Sequence, residues 1–289
     1  MPSQFTNLKG ILVGNGCWGG TATETNCNGP NSEQNDLDMY FGKGLVSKRT
    51  YKLAYSSCNF PKTNGLACQA VLADAFNEVG PHNVYDIYDN CPQTAEWLKR
   101  TGKSMRWLIN NLRSKMGSRH TNASVGLHDD LIELGGGYDW QCGGMPAMAN
   151  FFEREDVQKA LHLGRPSLSR FDYDSSGPAS VTLYPTLVKK MRVLIYNGDS
   201  DACVPYKGNE EWTEGLADQG VIKQNKAWHP WFADGVPQMP AGYSTTYTVP
   251  GAPYDFSFIT IRLAGHMVPA FQPLSALTFF KRFLAGTAI

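Results

Sequence analysis

Two segments in the last third of the chain constrain its fold more than any other feature. In each, a run of strand-forming residues stops at a glycine: VLIYNGDSD at 193–201 then presents carboxylates, and LAGHMVP at 263–269 presents an imidazole. Apolar runs of this kind are typical of buried strands in parallel sheets. The carboxyl ends of such strands meet at one edge of the sheet. The sequence therefore predicts an α/β fold with an Asp–His pair at a sheet edge.

The candidate general base of this pair is His266, which lies between Gly265 and Pro269. Two aspartates, Asp199 and Asp201, are candidates for the acid, since an ionised carboxylate in either position can accept the imidazole Nδ1–H. The alternative is a turn in which one aspartate caps the following helix. Acid followed by histidine is the order in α/β-hydrolases, where the nucleophile precedes both.

No convincing serine nucleophile motif precedes the pair. Ser200 lies in Gly-Asp-Ser-Asp-Ala, which imitates the Gly-x-Ser-x-Gly nucleophile turn with alanine in the last place. As a nucleophile it would need Asp234 or Asp255 as the acid and His266 as the base. Too few residues would then remain for the later strands. We therefore expect the nucleophile to lie elsewhere.

The seven cysteines indicate disulfide bonds rather than a metal site. They stand at positions 17, 27, 58, 68, 91, 142 and 203, without a Cys-x-x-Cys pair, and the six histidines are scattered. Disulfides favour an oxidising compartment, and the sequon at Asn122 predicts glycosylation there. Free buried thiols in a cytosolic protein are the alternative. The odd count leaves Cys203 as a thiol near Asp201 or as the partner of a cysteine outside the chain.

Charge and hydropathy exclude several classes of partner. The formal net charge is zero, so a basic nucleic-acid face is not expected. No stretch approaches the roughly 20 apolar residues of a membrane span. A protein with disulfides and glycosylation enters the secretory route and is expected to carry a signal peptide, but the residues after Met1 do not resemble one. We therefore expect that the true amino terminus is missing. No metal or other cofactor is predicted.

Periodicity divides the chain into a sheet-forming core and a helical insertion. Residues 1–25 and 175–289 are assigned to the core, and residues 26–174 to the insertion, which includes a lid and a connecting helix. The predicted strands are 8–14, 192–197, 243–249 and 256–263. The predicted helices are 32–42, 47–57, 66–79, 94–116, 146–163, 180–191, 209–216 and 273–284.

Five segments resemble those of the serine carboxypeptidases, in the same order along the chain. GDSDACVP at 198–205 and GHMVP at 265–269 resemble the family's acid and histidine segments. DVQKALH at 156–162 is similar to a helix that precedes the acid strand. LKGILVGNG at 8–16 and FGKGLVS at 41–47 resemble the strand after the nucleophile helix and the start of the helical insertion.

The resemblance implies a role for each matching residue. Asp201 would be the triad acid, His266 the general base and Asp199 a structural residue, while Met267 would line the pocket beside the scissile bond. The family removes single amino acids from peptide carboxyl ends through an acyl-enzyme, without metal. It works in vacuoles, lysosomes or outside the cell. The implied fold is part of an α/β-hydrolase sheet with a disulfide-bearing helical insertion.

The chain departs from the family pattern at the nucleophile. The family's Gly-Glu-Ser-Tyr-Ala-Gly and Asn-Gly-Gly-Pro-Gly segments do not occur in it, and both would precede Leu8. We therefore expect the carboxyl-terminal portion of a carboxypeptidase, which needs the amino-terminal portion of the same polypeptide and is catalytically incomplete alone. The alternatives are an acyltransferase with the same triad and a non-catalytic interaction protein.

Overall fold

The structure, a computed structural model, describes residues 7–19, 28–80, 82–88, 151–162 and 178–289. These residues contain a five-stranded mixed sheet with the strand order β1-β2-β5-β4-β3. The strands are β1 (Gly10–Gly14), β2 (Arg192–Gly198), β3 (Lys223–Trp231), β4 (Gly242–Thr248) and β5 (Asp255–Ile261).

The parallel half of the sheet brings three strand ends to one edge. β1 pairs with β2 so that Gly14 lies beside Tyr196, and β2 pairs with β5 so that Gly198 lies beside Ile261. β4 and β3 continue the sheet in antiparallel fashion beyond β5. The loops that follow β1, β2 and β5 therefore start close together, which is the expected place for a site in an open α/β sheet.

Helices cover both faces of the sheet. They are α1 (Ser32–Gly42), α2 (Lys48–Ser57), α3 (Leu66–Val79), α4 (Glu155–Ala160), α5 (Tyr184–Leu187), α6 (Tyr206–Asp218), α7 (Val268–Phe271) and α8 (Pro273–Ala285), with a 3₁₀ turn at Ser180–Leu183 before α5. Among the helices described, none is long and apolar enough to cross a bilayer.

Alternation along β2 directs its side chains into two separate cores. Val193 and Ile195 pack with Trp212 of α6 on one face of the sheet. Leu194 packs with Phe279 of α8 on the other face. Because both faces are covered, β2 reads as a continuous apolar run, as strands in parallel sheets do.

The insertion has its own core between α1, α2 and α3. Leu37, Leu72 and Phe76 are buried in it, and a disulfide joins Cys58 to Cys68. Cys17 is also disulfide-bonded. The mixed sheet, its helices and the Cys58–Cys68 disulfide confirm the predicted fold class. The division into residues 1–25 plus 175–289 and residues 26–174 stays a prediction.

Several helix boundaries follow the local signals closely. α3 begins and ends as predicted, and α2 is capped by Ser47, whose Oγ accepts a hydrogen bond from the Thr50 N–H. α8 ends at Gly286, which takes the left-handed conformation.

Other predictions of secondary structure were wrong. The sequence indicated no strand at 223–231, yet β3 is there. Most of its residues are exposed and it contains Pro230, so it lacks the usual alternation of apolar and polar residues. The helix predicted at 180–191 is only a 3₁₀ turn followed by α5. Of the helix predicted at 146–163, the structure describes residues 151–162, in which 151–153 and α4 are helical with a break at Arg154. The predicted helix at 94–116 and the glycosylation site Asn122 lie outside the described residues.

Candidate active site

The Asp201 carboxylate lies at the centre of the site and is fully buried. Its Oδ1 accepts hydrogen bonds from the backbone N–H groups of Cys203 at 2.8 Å and Val204 at 3.2 Å. Its Oδ2 lies 2.8 Å from the Nδ1 of His266 and accepts a bond from the Asn15 Nδ2 at 2.7 Å. These donors use the lone pairs of both oxygens, which is the environment of an ionised carboxylate.

The imidazole of His266 is oriented from two sides. Its Nδ1 faces the Asp201 carboxylate, and its backbone N–H donates to the carbonyl oxygen of Tyr85 at 2.7 Å. The Tyr85 ring meets the imidazole edge to face, with 5.4 Å between ring centroids. Because an ionised carboxylate can only accept, Nδ1 carries the hydrogen in the neutral ring. Nε2 is then the basic nitrogen, as general-base catalysis requires.

Two glycines allow the loops after β2 and β5 to approach each other. A Cβ at Gly198 would lie 2.2 Å from the carbonyl oxygen of Ala264. A Cβ at Gly265 would lie 2.0 Å from the carbonyl oxygen of Tyr85. In both places the contact is with backbone, which has no room to move away. These glycines are therefore required by close packing rather than by an unusual turn.

The geometry distinguishes Asp199 from Asp201. Asp199 accepts a hydrogen bond from the Leu263 N–H at 2.8 Å and pairs with the Lys43 Nζ at 3.3 Å. It therefore links the β5 loop and the insertion to the end of β2. Neither aspartate caps α6, whose N-cap residue is Pro205 and has no side-chain hydrogen bond.

Ser200 is not placed as a nucleophile. It is fully buried, and its Oγ donates to Asp199 Oδ1 at 3.0 Å. The acids that it would need are engaged in other ion pairs: Asp234 with Arg282 at 2.6 Å and Asp255 with Arg192 at 2.6 Å.

Residues 82–88 of the insertion contact both loops of the site. The Ile87 N–H donates to the Ser200 carbonyl at 3.0 Å, and the Ala202 N–H donates to the Val84 carbonyl at 2.9 Å. With the Tyr85–His266 contact, this segment bridges the acid loop and the histidine loop. The insertion is thus part of the framework of the site.

Two further residues singled out in the sequence lie beside the pair. Met267 is half-buried directly before α7. Cys203 is a free thiol. Burial, together with the negative charges of Asp201 and Asp36, raises the pKa of this thiol to about 12. Cys203 is therefore protonated at neutral pH and a poor nucleophile. No cluster of metal-binding side chains is found in the part of the chain that the structure describes.

Comparison with known proteins decides the family. The serine carboxypeptidase family model matches residues 2–286. The chain belongs to the serine carboxypeptidase family. Serine carboxypeptidase-like 20 of Arabidopsis thaliana is 26% identical in an alignment of 313 positions that covers 98% of this chain and 58% of that protein. Serine carboxypeptidase 1 of Hordeum vulgare is 26% identical in an alignment of 317 positions that covers 98% of this chain and 57% of the relative.

Two more matches cover nearly the whole chain. Lysosomal protective protein of Mus musculus is 27% identical in an alignment of 310 positions that covers 98% of this chain and 60% of that protein. The crystal structure of Kex1(Δ)p, a prohormone-processing carboxypeptidase from Saccharomyces cerevisiae, aligns with a TM-score of 0.49 at 15% identity, over 98% of this chain and 56% of that one. The chain spans little more than half the length of these relatives.

The sequence alone did not indicate that Asn15 and Tyr85 contact the Asp201–His266 pair. Asn15 carried a usable signal, since it is a polar residue directly after a predicted strand, and Asp201 and His266 also lie in loops that follow strands. Tyr85 carried none, because it reaches His266 from the insertion through packing that no local pattern indicates.

Proposed function

We propose that this chain carries the acid and the general base of a serine-type carboxypeptidase that releases single amino acids from peptide carboxyl ends. The observation that supports this most strongly is the 2.8 Å contact between the buried carboxylate of Asp201 and the imidazole of His266. Family membership supplies the reaction class, and the contact supplies two of the three groups that the reaction needs.

In the proposed mechanism, His266 moves the protons. Its Nε2 takes the proton of a serine hydroxyl as that oxygen attacks the scissile carbonyl, and Asp201 stabilises the resulting imidazolium. The imidazolium then gives the proton to the leaving nitrogen, which departs as the free carboxyl-terminal amino acid. A water activated by the same imidazole hydrolyses the acyl-serine. Met267, next to the base, would line the pocket beside the scissile bond.

The serine and the oxyanion donors are proposed to come from an amino-terminal portion of the same polypeptide. The motif that holds the family's nucleophile does not occur in these 289 residues. Without that nucleophile and without oxyanion donors, the chain alone should not hydrolyse peptides at the rates of a complete triad. Its substrates would be peptide or protein carboxyl ends.

The proposed location is the secretory pathway, with a vacuolar, lysosomal or extracellular destination. The Cys58–Cys68 disulfide supports it, because structural disulfides persist in oxidising compartments. The name of the murine relative, lysosomal protective protein, agrees with the same route.

Reading the coding sequence upstream of Met1 tests the proposal. We expect a continuous frame that contains the Gly-Glu-Ser-Tyr-Ala-Gly motif, and a protein made from it should release carboxyl-terminal amino acids from blocked dipeptides. A transcript that starts at Met1, with a stop codon upstream, would contradict it. Product analysis with an added alcohol separates hydrolysis from acyl transfer.

Two histidine variants, one at His266 and a control at His229, test the role of the base in that longer protein. His266→Ala should lower kcat by about 10⁴-fold or more, because the base is lost. His229→Ala should leave kcat unchanged, because His229 lies on β3 with its Nδ1 on the Ala227 carbonyl, away from the pair. Equal losses in the two variants would show that His266 has no special role.

A further inference from the structure

Asn15 occupies an unusual position at the end of β1. It is the first residue after that strand, it is 4% exposed, and its backbone has a φ of 45°. Few residues other than glycine adopt this left-handed region, and asparagine is one of them. Its backbone N–H donates to the Tyr196 carbonyl at 2.8 Å, which continues the β1–β2 pairing by one residue. The side chain is therefore held in a fixed place beside the end of β2.

The orientation of the Asn15 amide follows from its two partners. One end faces the backbone N–H of Gly198, a donor, at 3.3 Å. The other end faces a carboxylate oxygen of Asp201, an acceptor, at 2.7 Å. A flipped amide would place its NH₂ group against the Gly198 N–H, donor against donor. It would also place its oxygen against the Asp201 oxygen, acceptor against acceptor. The Asn15 Nδ2 therefore donates to Asp201.

The oxygen that Asn15 holds is the oxygen that holds His266. Oδ2 of Asp201 accepts from both side chains, while Oδ1 accepts from two backbone N–H groups of its own loop. The backbone bonds act on Oδ1 only. The amide of Asn15 adds an anchor on Oδ2, so rotation of the carboxylate about its Cβ–Cγ bond is restrained at both oxygens.

We propose that Asn15 is a positioning residue: it fixes the Asp201 carboxylate so that its Oδ2 holds the Nδ1–H tautomer of His266. Three strands then contribute to the pair, with the amide from the end of β1, the acid from the loop after β2 and the base from the loop after β5. The structural part of this inference concerns only the side chains of Asn15, Asp201 and His266, all of which belong to this chain. Its catalytic consequence rests on the proposed function.

The tautomer of His266 is the direct test, since ring ¹⁵N chemical shifts distinguish Nδ1–H from Nε2–H in the neutral imidazole. We expect Nδ1–H to dominate in the protein as it is. In Asn15→Gly, which suits the left-handed backbone and removes the donor, Nδ1–H should lose its dominance. Asn15→Ala also removes the donor but keeps the Cβ, and it should shift the tautomer population in the same direction.

A second buried asparagine serves as the matched control. Asn209 is 1% exposed and donates to Asn197 Oδ1 at 2.9 Å, without bonding to Asp201 or His266. Asn209→Ala should lower stability and leave the tautomer of His266 unchanged. Should Asn15→Gly not fold, Asn15→Ala decides the question. A folded Asn15 variant that retains the original tautomer population would overturn the proposal.

The tautomer measurement also separates this inference from the proposed function. It requires no hydrolysis, so it can succeed even if the longer protein proves to have no peptidase activity. Where activity is present, Asn15→Gly should lower kcat/KM by about 10- to 100-fold, the effect of losing one hydrogen bond to a charged group.

Discussion

The sheet and the insertion of this protein are stabilised by different means. In the sheet, β2 and β5 are buried on both faces; Phe256, Phe258 and Ile259 have almost no exposed surface. The insertion has a separate apolar core, to which α2 contributes a single buried residue, Ala54. This region adds a disulfide and polar clusters, such as Glu78 bonded to Ser47 and Thr50.

The two regions also contribute differently to the site. The sheet carries Asn15, Asp201 and His266 at or just after strand ends whose relative positions are fixed by backbone pairing. The insertion supplies contacts that hold those loops, through residues 82–88 and the Lys43–Asp199 ion pair. A helix with little apolar burial opens locally at lower cost. We therefore expect α2, which buries only Ala54, to open before the strands of the sheet do.

Truncating one buried phenylalanine in each region should show the largest effect. Phe256→Ala in β5 and Phe76→Ala in α3 should each cost about 3–5 kcal/mol of unfolding free energy, through lost burial and a cavity. Hydrogen exchange should show weaker protection throughout the sheet for Phe256→Ala. For Phe76→Ala the loss should be confined to α1–α3. Phe280→Ala, on the exposed side of α8, should cost well under 1 kcal/mol. Identical exchange patterns for the two buried variants would mean that the regions unfold as one.

Removing the disulfide should have the next largest effect. Cys58→Ala combined with Cys68→Ala opens a loop with a sequence separation of 10 residues. The loop-entropy model gives a loss of about 2.5 kcal/mol for such a loop. Hydrogen exchange of the α2 and α3 amides should report this loss as weaker protection. The amides of β2 and β5 should keep their protection. Equal loss of protection in β2 would contradict the distinction between the two regions.

Acid should destabilise the insertion through His82. Burial lowers the pKa of this histidine, whose Nδ1 lies 3.1 Å from the Gly80 carbonyl and whose Nε2 lies 3.1 Å from the Tyr40 hydroxyl. The unfolded chain then binds the proton more readily than the folded chain. The contribution of neutral His82 to the free energy of unfolding is complete above its unfolded pKa of about 6.5. It is lost as the pH falls toward the lower pKa of the folded state.

His82→Gln should therefore flatten the pH dependence of stability below about pH 6.5, where one proton can contribute at most about 1.4 kcal/mol per pH unit. Urea titrations of both proteins between pH 7 and pH 5 measure the slope. An unchanged slope in His82→Gln would show that other groups cause the acid sensitivity.

Much of the fold could be predicted because its signals are local. α3 has a clear amphipathic pattern and ends at Gly80, and the apolar runs of β2 and β5 end at recognisable glycines and polar residues. β3 was missed because it is exposed along most of its length, so its side chains show no periodic burial. The 3₁₀ turn before α5 was read as part of a helix, since the two share composition and differ only in hydrogen bonding.

The amino-acid sequence alone determined the elements of the site: strands that stop at glycine, an acid before a histidine, and a family in which that order has a meaning. The tertiary structure decided which aspartate meets the imidazole, that Asn15 holds the same carboxylate oxygen, and that Tyr85 reaches His266 from the insertion. The reason is physical. Burial and turn preferences act within a few residues and leave a pattern in the sequence, whereas contacts between distant residues depend on strand register and close packing.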